Sequence, residues 1–349
     1  MLSEFWSFLQ LSLFPALEEC LQAGLTDREQ RLVALLEYLK IEDHVERSLY
    51  CGVGRVPYDR SCMARAFVAK AAYGFKTTKD LVAALLAEPG LRLICGISNA
   101  SSVPSESTFS RTFNALAKAG LGDLCHESVV RQYVGQTPVL HLSRDSTSLP
   151  GREKPAPKEP KTKLPWNERR TQTQYEQSVS EALAALPRTC GVGRKPNSQG
   201  NMETCVGFKV HIDWLDGMIP ANVVTTSAQV HDGLLAIPMM RTMAQRVPNI
   251  AYQLMDSAYD APAIRQACRD LDQVALIEGQ RRRKGFVPFD KAQATRFNER
   301  TNAERGFSRL KDNFGLRDLH VRGPAKVHLH VMFSVLALFA DQMLKPICH

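Results

Sequence analysis

The sequence predicts an α/β architecture, a mixed sheet flanked by helices, preceded by an all-α N-terminal domain. Three observations carry this. From residue 1 to about 135 apolar residues recur at helical spacing, with stops at Gly52, Gly54, Pro57, Gly74, Pro89-Gly90, Gly96, Pro104, Gly120 and Gly122. After residue 135, short alternating or apolar runs of strand length take turns with helical ones. The whole chain, 349 residues that are 44% hydrophobic and 23% charged, fits two globular domains rather than collagen, a coiled coil or a disordered chain.

In the first domain, residues 1–135, Thr77-Thr78-Lys79-Asp80 reads as a capping box ahead of Leu81, Val82 and Leu85. Pro104-Ser105-Glu106-Ser107 opens a second helix with Phe109, Phe113 and Leu116. The pair fits a helix-turn-helix whose second member turns Arg111 and Lys118 toward DNA, or a plain bundle. The second domain, residues 136–349, begins with the strand Pro138–Ser143, which runs into Arg144-Asp145. Residues 151 to 200 hold ten Lys and Arg, five Glu and six Pro, the composition of an extended, mobile insertion over about 148–203. Strand character resumes at Cys205–Trp214, turns at Asp216-Gly217 and returns to Thr226. Helix His231–Gln245, strand Ala251–Met255, helix Ala261–Leu271, strand Gln273–Ile277, a helix from about Arg296 and a last one over 326–344 follow. This order is that of the ribonuclease H-like fold.

Forty-four Lys and Arg against 36 Asp and Glu leave a net charge of +8, which favours polyanionic partners. Nine cysteines with no Cys-x2-Cys pair point to reduced thiols and a cytoplasmic setting. The apolar run Val331–Ala340 is too short to cross a bilayer, and Glu4 stands where a secretory signal carries a cation. Gly52-Val-Gly54 and Gly191-Val-Gly193 lack the strand-to-helix setting of a dinucleotide loop, so no nucleotide cofactor is expected. They belong to a pentapeptide, Cys-Gly-Val-Gly-Arg, that occurs at 51–55 and again at 190–194.

Asp145 and Asp256 each stand where a strand is expected to stop. On neighbouring strands their carboxylates would converge, and a divalent cation with oxygen ligands relieves the repulsion. A third acid is expected on the helix after the basic run Arg281, Arg282, Arg283 and Lys284. There Phe297, Arg300, Glu304 and Lys311 fall within an arc of about 60°, whereas Glu299 lies about 140° from Glu304. An exposed face with Arg300–Glu304 ion pairing is the competing reading. His328-x-His330 on a helix turns its two rings about 200° apart and does not read as a metal site.

Phe297-x2-Arg300-x3-Glu304-x6-Lys311 resembles the Tyr-x2-Arg-x3-Glu-x6-Lys signature of the DDE transposases of bacterial insertion sequences, with Phe for Tyr at the first position. Asp145-Ser-Thr resembles that family's first acid and Asp256-x2-Tyr259-Asp260 its second. Gly207-Phe-Lys-Val-His211 and Val230-His-Asp232 resemble its intervening segments, and Pro57-Tyr-Asp59 through Phe109 its preceding helical domain. The resemblance implies an enzyme that binds terminal inverted repeats, cuts at the element's ends and joins the 3′ hydroxyl to target DNA, as a homodimer on double-stranded DNA. It implies catalysis by two Mg2+ ions, replaceable by Mn2+, on Asp145, Asp256 and Glu304. Arg300 and Lys311 are then expected on flanking phosphates, with Lys209, Arg281–Lys284 and Arg111 as further DNA contacts. A metal-dependent nuclease without strand transfer, and an inactive DNA-binding derivative, remain alternatives.

Overall fold

The computed structural model describes residues 24–46, 52, 56–157, 167–196, 201–279 and 287–345. The first half is helical: α1 Asp27–Leu39, α2 Arg60–Ala72, α3 Thr78–Ala87, α4 Pro89–Ile94, α5 Glu106–Lys118 and α6 Leu121–Tyr133. Thr77 and Asp80 form the expected capping box on α3. The pair α3 and α5 is not joined by a simple turn, because α4 and a 3-10 turn at Ala100–Ser102 stand between them. Gly122 does not stop a helix either. It lies inside α6, where a Cβ would come within 2.5 Å of the Met332 side chain.

The second half holds β1 Val139–Pro150, α7 Asn167–Glu176, α8 Val179–Ala184, β2 Gly191–Pro196, β3 Met202–Leu215 and β4 Ile219–Ser227. It continues with α9 Gly233–Arg246, β5 Ile250–Met255, α10 Pro262–Asp270, β6 Val274–Ile277, α11 Lys291–Phe297, α12 Thr301–Asp312 and α13 Pro324–Met343. The mixed sheet runs β2-β3-β1-β5-β6, with β4 also on β3. β1 is antiparallel to β3 and parallel to β5, and helices flank the sheet in a ribonuclease H-like arrangement.

β1 is longer than its first alternating run suggests. Ser146 to Pro150 continue it by pairing with His211 to Gly207, and Leu149 is buried, so Asp145 stands inside a strand rather than at its end. Gly207 (φ 157°) lies where the two strands press together, and a Cβ there would meet Leu149 O at 2.3 Å. The stretch over 148–203, expected to be an extended mobile insertion, carries two helices and packed strands among its described residues. α7 and α8 bury Thr171, Gln174 and Ala182, Arg241 on α9 donates to the carbonyls of Tyr175 and Gln177, and β2 joins the sheet.

The hydrophobic core is continuous across both halves. One cluster joins Leu32, Phe67, Phe109 and Val130 of the helical half to Phe208, Trp214 and Leu310 of the sheet half, through α13. Asp341 on α13 is 1% exposed and pairs with Arg31 of α1 and Arg309 of α12. His328 on the same helix meets Thr225 of β4 at 3.0 Å and Asp123 of α6 at 2.9 Å. His330, two residues on, contributes to a different environment, as the 200° separation requires. Among the described residues no helix is long and apolar enough to cross a membrane.

Candidate active site

Parallel pairing of β1 with β5 sets Ser143 opposite Leu254, so two residues further on Asp145 stands beside Asp256. Asp256 follows the last residue of β5 and caps the next turn by accepting from Ala258 N at 2.9 Å. Asp145 accepts from Ser146 N at 2.8 Å. Burial pushes the Asp145 carboxyl up to about 6; the neighbouring Asp256 and Asp232 add to this, while Ser146 N–H and Arg300 oppose it. Asp256 is raised for the same first reason, with Asp232 adding to it and Arg300 and Lys195 acting against it.

Arg300 is the cation between the acids. Its guanidinium lies 3.6 Å from Asp145 Oδ2 and 3.1 Å from Glu304 Oε1, and 5.8 Å over the Phe297 ring. Glu304 is 61% exposed and reaches the pair through Arg300. The helix carrying them is tightened to a 3-10 turn at Asn298–Arg300 between α11 and α12. α12 approaches the sheet closely because residue 306 is glycine, where a Cβ would stand 2.4 Å from the buried Trp214 ring. Phe307 packs edge-on against the same ring at 5.2 Å. Glu299 points elsewhere and accepts from Asn302 Nδ2 at 2.9 Å.

On the opposite face of the sheet a polar cluster backs the acids. Asp232 accepts from Ser146 Oγ at 2.7 Å and Lys209 Nζ at 3.2 Å, and lies 3.5 Å from His211 Nδ1. Burial works against Asp232 ionisation, but His211, Lys209 and Ser146 outweigh it and its pKa is lowered. His211 is fully buried and pushed down to about 4, so its ring is neutral at pH 7. Arg144 and Asp213, both 0% exposed, pair at 2.7 Å, and Arg144 Nη1 also touches Met255 Sδ at 3.8 Å. The residues that precede Asp145 and Asp256 are thus linked to each other.

The structure brings Asp145, Asp256, Glu304, Arg300 and Lys311 together. Lys311 is half-buried and its pKa is lowered by burial, with Arg317 and Lys195 adding to this and Asp145 opposing it. Lys209 is tied inward to Val230 O and Asp232. Arg111 is exposed on α5, donates back to Ser107 O at 3.3 Å and stands apart from the acids. The run Arg281, Arg282, Arg283 and Lys284 lies outside the described residues. Sequence reasoning missed Asp232, Arg144 and Lys195 as parts of the site. An arginine and an aspartate next to apolar residues inside two strand runs, Arg144 and Asp213, were the available signal for a buried pair.

Among the described residues no three His, Cys, Asp or Glu side chains already enclose a position for a metal ion. The donor set nevertheless fits a hard divalent cation: it is all oxygen, and two adjacent half-buried carboxylates are held above their usual range, first by burial and further by neighbouring acids. The carboxylate of Glu304 is ion-paired with Arg300 at 3.1 Å.

Residues 141–340 match the family described as transposase DDE domain, and residues 19–115 match the one described as transposase domain (DUF772). Comparison with curated proteins finds no match. The first match spans more than half of the 349 residues and contains the paired aspartates, their supporting sheet and the glutamate helix. With a helical transposase domain ahead of a ribonuclease H-like fold, the chain belongs to the DDE transposases.

Proposed function

We propose that this chain is an active transposase that binds the terminal inverted repeats of an insertion sequence as a homodimer on double-stranded DNA. It cuts a phosphodiester at each end and joins the freed 3′ hydroxyl to target DNA. The observation that carries the reading is the β1–β5 register, which makes neighbours of two aspartates 111 positions apart and leaves them facing Arg300, just before α12, and Glu304 on it. Asp145, Asp256 and Glu304 would hold two Mg2+ ions, with Mn2+ able to replace them. Bound there, the ions supply alignment of the attacking oxygen and relief of charge on the leaving oxygen.

The chain's own residues do the rest. Arg300 leaves the carboxylates and donates its fork to a phosphate oxygen, and Lys311 presents a point charge to a neighbouring phosphate. Asp232, through Ser146 and Lys209, keeps β1 in register beneath Asp145. In the first step water adds to phosphorus, the bond to the 3′ oxygen breaks and that oxygen leaves as the hydroxyl. In the second, this hydroxyl attacks a target phosphodiester, whose own 3′ oxygen departs and takes the proton. Incubation with duplexes carrying the element's ends, Mg2+ and a target plasmid tests this. Cut and joined products are expected; cut products alone would mean a nuclease, and binding without cutting an inactive derivative.

A further inference from the structure

A cavity of about 510 Å3 opens between the helical half and the segment joining α12 to α13, away from the acids. Its rim is basic: Lys70, Lys76, Arg152, His320, Arg322 and Lys326 line it, against the acids Glu106 and Asp318. Its walls include the apolar rings of Phe75, Phe113 and Phe314. His330 lies in its lining, with Nε2 buried and without a hydrogen-bond partner. The volume lies within the usual range for a bound small group, about 300–1,000 Å3. Arg111, the cation expected to serve this half, is absent from the lining, because α5 turns Glu106, Ser110 and Phe113 inward instead.

The cavity is joined to the catalytic site by the chain itself. Arg152 follows β1, the strand of Asp145, and Gly151 N still bonds to Val206 O at 2.9 Å, so the extended path continues beyond Pro150. We infer that the cavity is a second DNA seat, which takes a phosphate of the cleaved strand on its basic rim and the attached sugar and base against its aromatic wall. This rests on the DNA-cutting reading of the acids. Seven residues of extended chain from Asp145 to Arg152 span about 22–24 Å. Along one DNA strand, at about 3.4 Å per nucleotide, that places the seated phosphate about six or seven nucleotides from the cut.

The test uses the full chain, without metal, and a duplex made from the DNA flanking its coding sequence. Single methylphosphonate linkages, each removing one phosphate charge, are placed in turn along the cleaved strand. The wild type is expected to lose about tenfold in affinity when the linkage falls about six or seven nucleotides from the cut. In the double variant Arg322→Gln, Lys326→Gln, shown to be folded by an unchanged melting temperature, that position should lose its effect while linkages at the cut keep theirs. Equal penalties in the two proteins overturn the proposal. So does a cavity that binds inorganic phosphate or a free deoxynucleotide, by rim-dependent thermal shift, with no linkage effect. A protein that cuts DNA but shows no penalty at that distance overturns the cavity alone. Failure to bind the duplex at all overturns the catalytic reading with it.

Discussion

Asp145 and Asp256 are held by backbone donors and flanked by a buried ion pair, whereas Glu304 stands mostly in solvent and is tethered through Arg300. Replacing any of the three by Ala is expected to abolish cleavage and leave DNA binding within a few fold, since on the proposed reading each change would remove a metal ligand and no phosphate contact. Cleavage at wild-type rate by one variant would reassign that residue. The acids also set a pH dependence. Because the Asp145 carboxyl is pushed up to about 6, protons compete with a cation increasingly as pH falls through that value. Mn2+ affinity, followed by calorimetry in two buffers of different ionisation enthalpy, should fall below about pH 6 with proton release on binding; a flat profile would disprove it. Asp145 and Asp256 were legible in the sequence as acids beside strands. Asp232 was not, because its partners Ser146, Lys209 and His211 come from two other strands and meet it only when the sheet forms.

At the level of elements, α12 is placed by an absence. Gly306→Ala would drive a methyl into the Trp214 ring, which is fully buried, and overpacking of this kind costs about 1–3 kcal/mol. Urea unfolding should show that loss, and cleavage should fall further than stability alone explains because the helix carrying Glu304 is pushed off the sheet. A variant as stable and as active as the parent would mean that Trp214 can yield. α7 depends on Arg241, whose guanidinium donates to the carbonyls of Tyr175 in its last turn and Gln177 just beyond it. Arg241→Ala is therefore expected to speed limited proteolysis between residues 167 and 186, and unchanged protection would show that packing alone holds the segment. The order of strands and helices after β1 was readable because each carries its own period and its own stop. The structure over 167–196 was not, since its few apolar residues acquire partners from α9 and α10, and composition counts prolines and lysines without seeing those surfaces.

Over the whole molecule, burial holds the rings of His126, His211 and His330 at about 4. Above about pH 6.5 they are neutral in both folded and unfolded chains and contribute no pH dependence. Between about 6.5 and 4 the unfolded chain takes up protons that the folded one refuses, so stability falls with pH, by up to about 1.4 kcal/mol per unit for each ring. The urea midpoint should therefore drop steeply from about pH 7 to about pH 5, and a level midpoint would mean that these rings are protonated in place. The change of period near residue 135 falls between the helix ending at Tyr133 and the strand beginning at Val139, but the shared core was not legible, because its link is the last helix described, far from the residues it covers.

That link orders events in time. The helical half ends at Tyr133, yet the helix that closes its core is finished about 210 residues later, at Met343. At about 5–20 residues per second a ribosome needs about 10–40 s to cross that interval. Throughout it, the nascent N-terminal segment waits with its apolar faces uncovered, a client for chaperones. Both halves are then completed together, when α13 arrives.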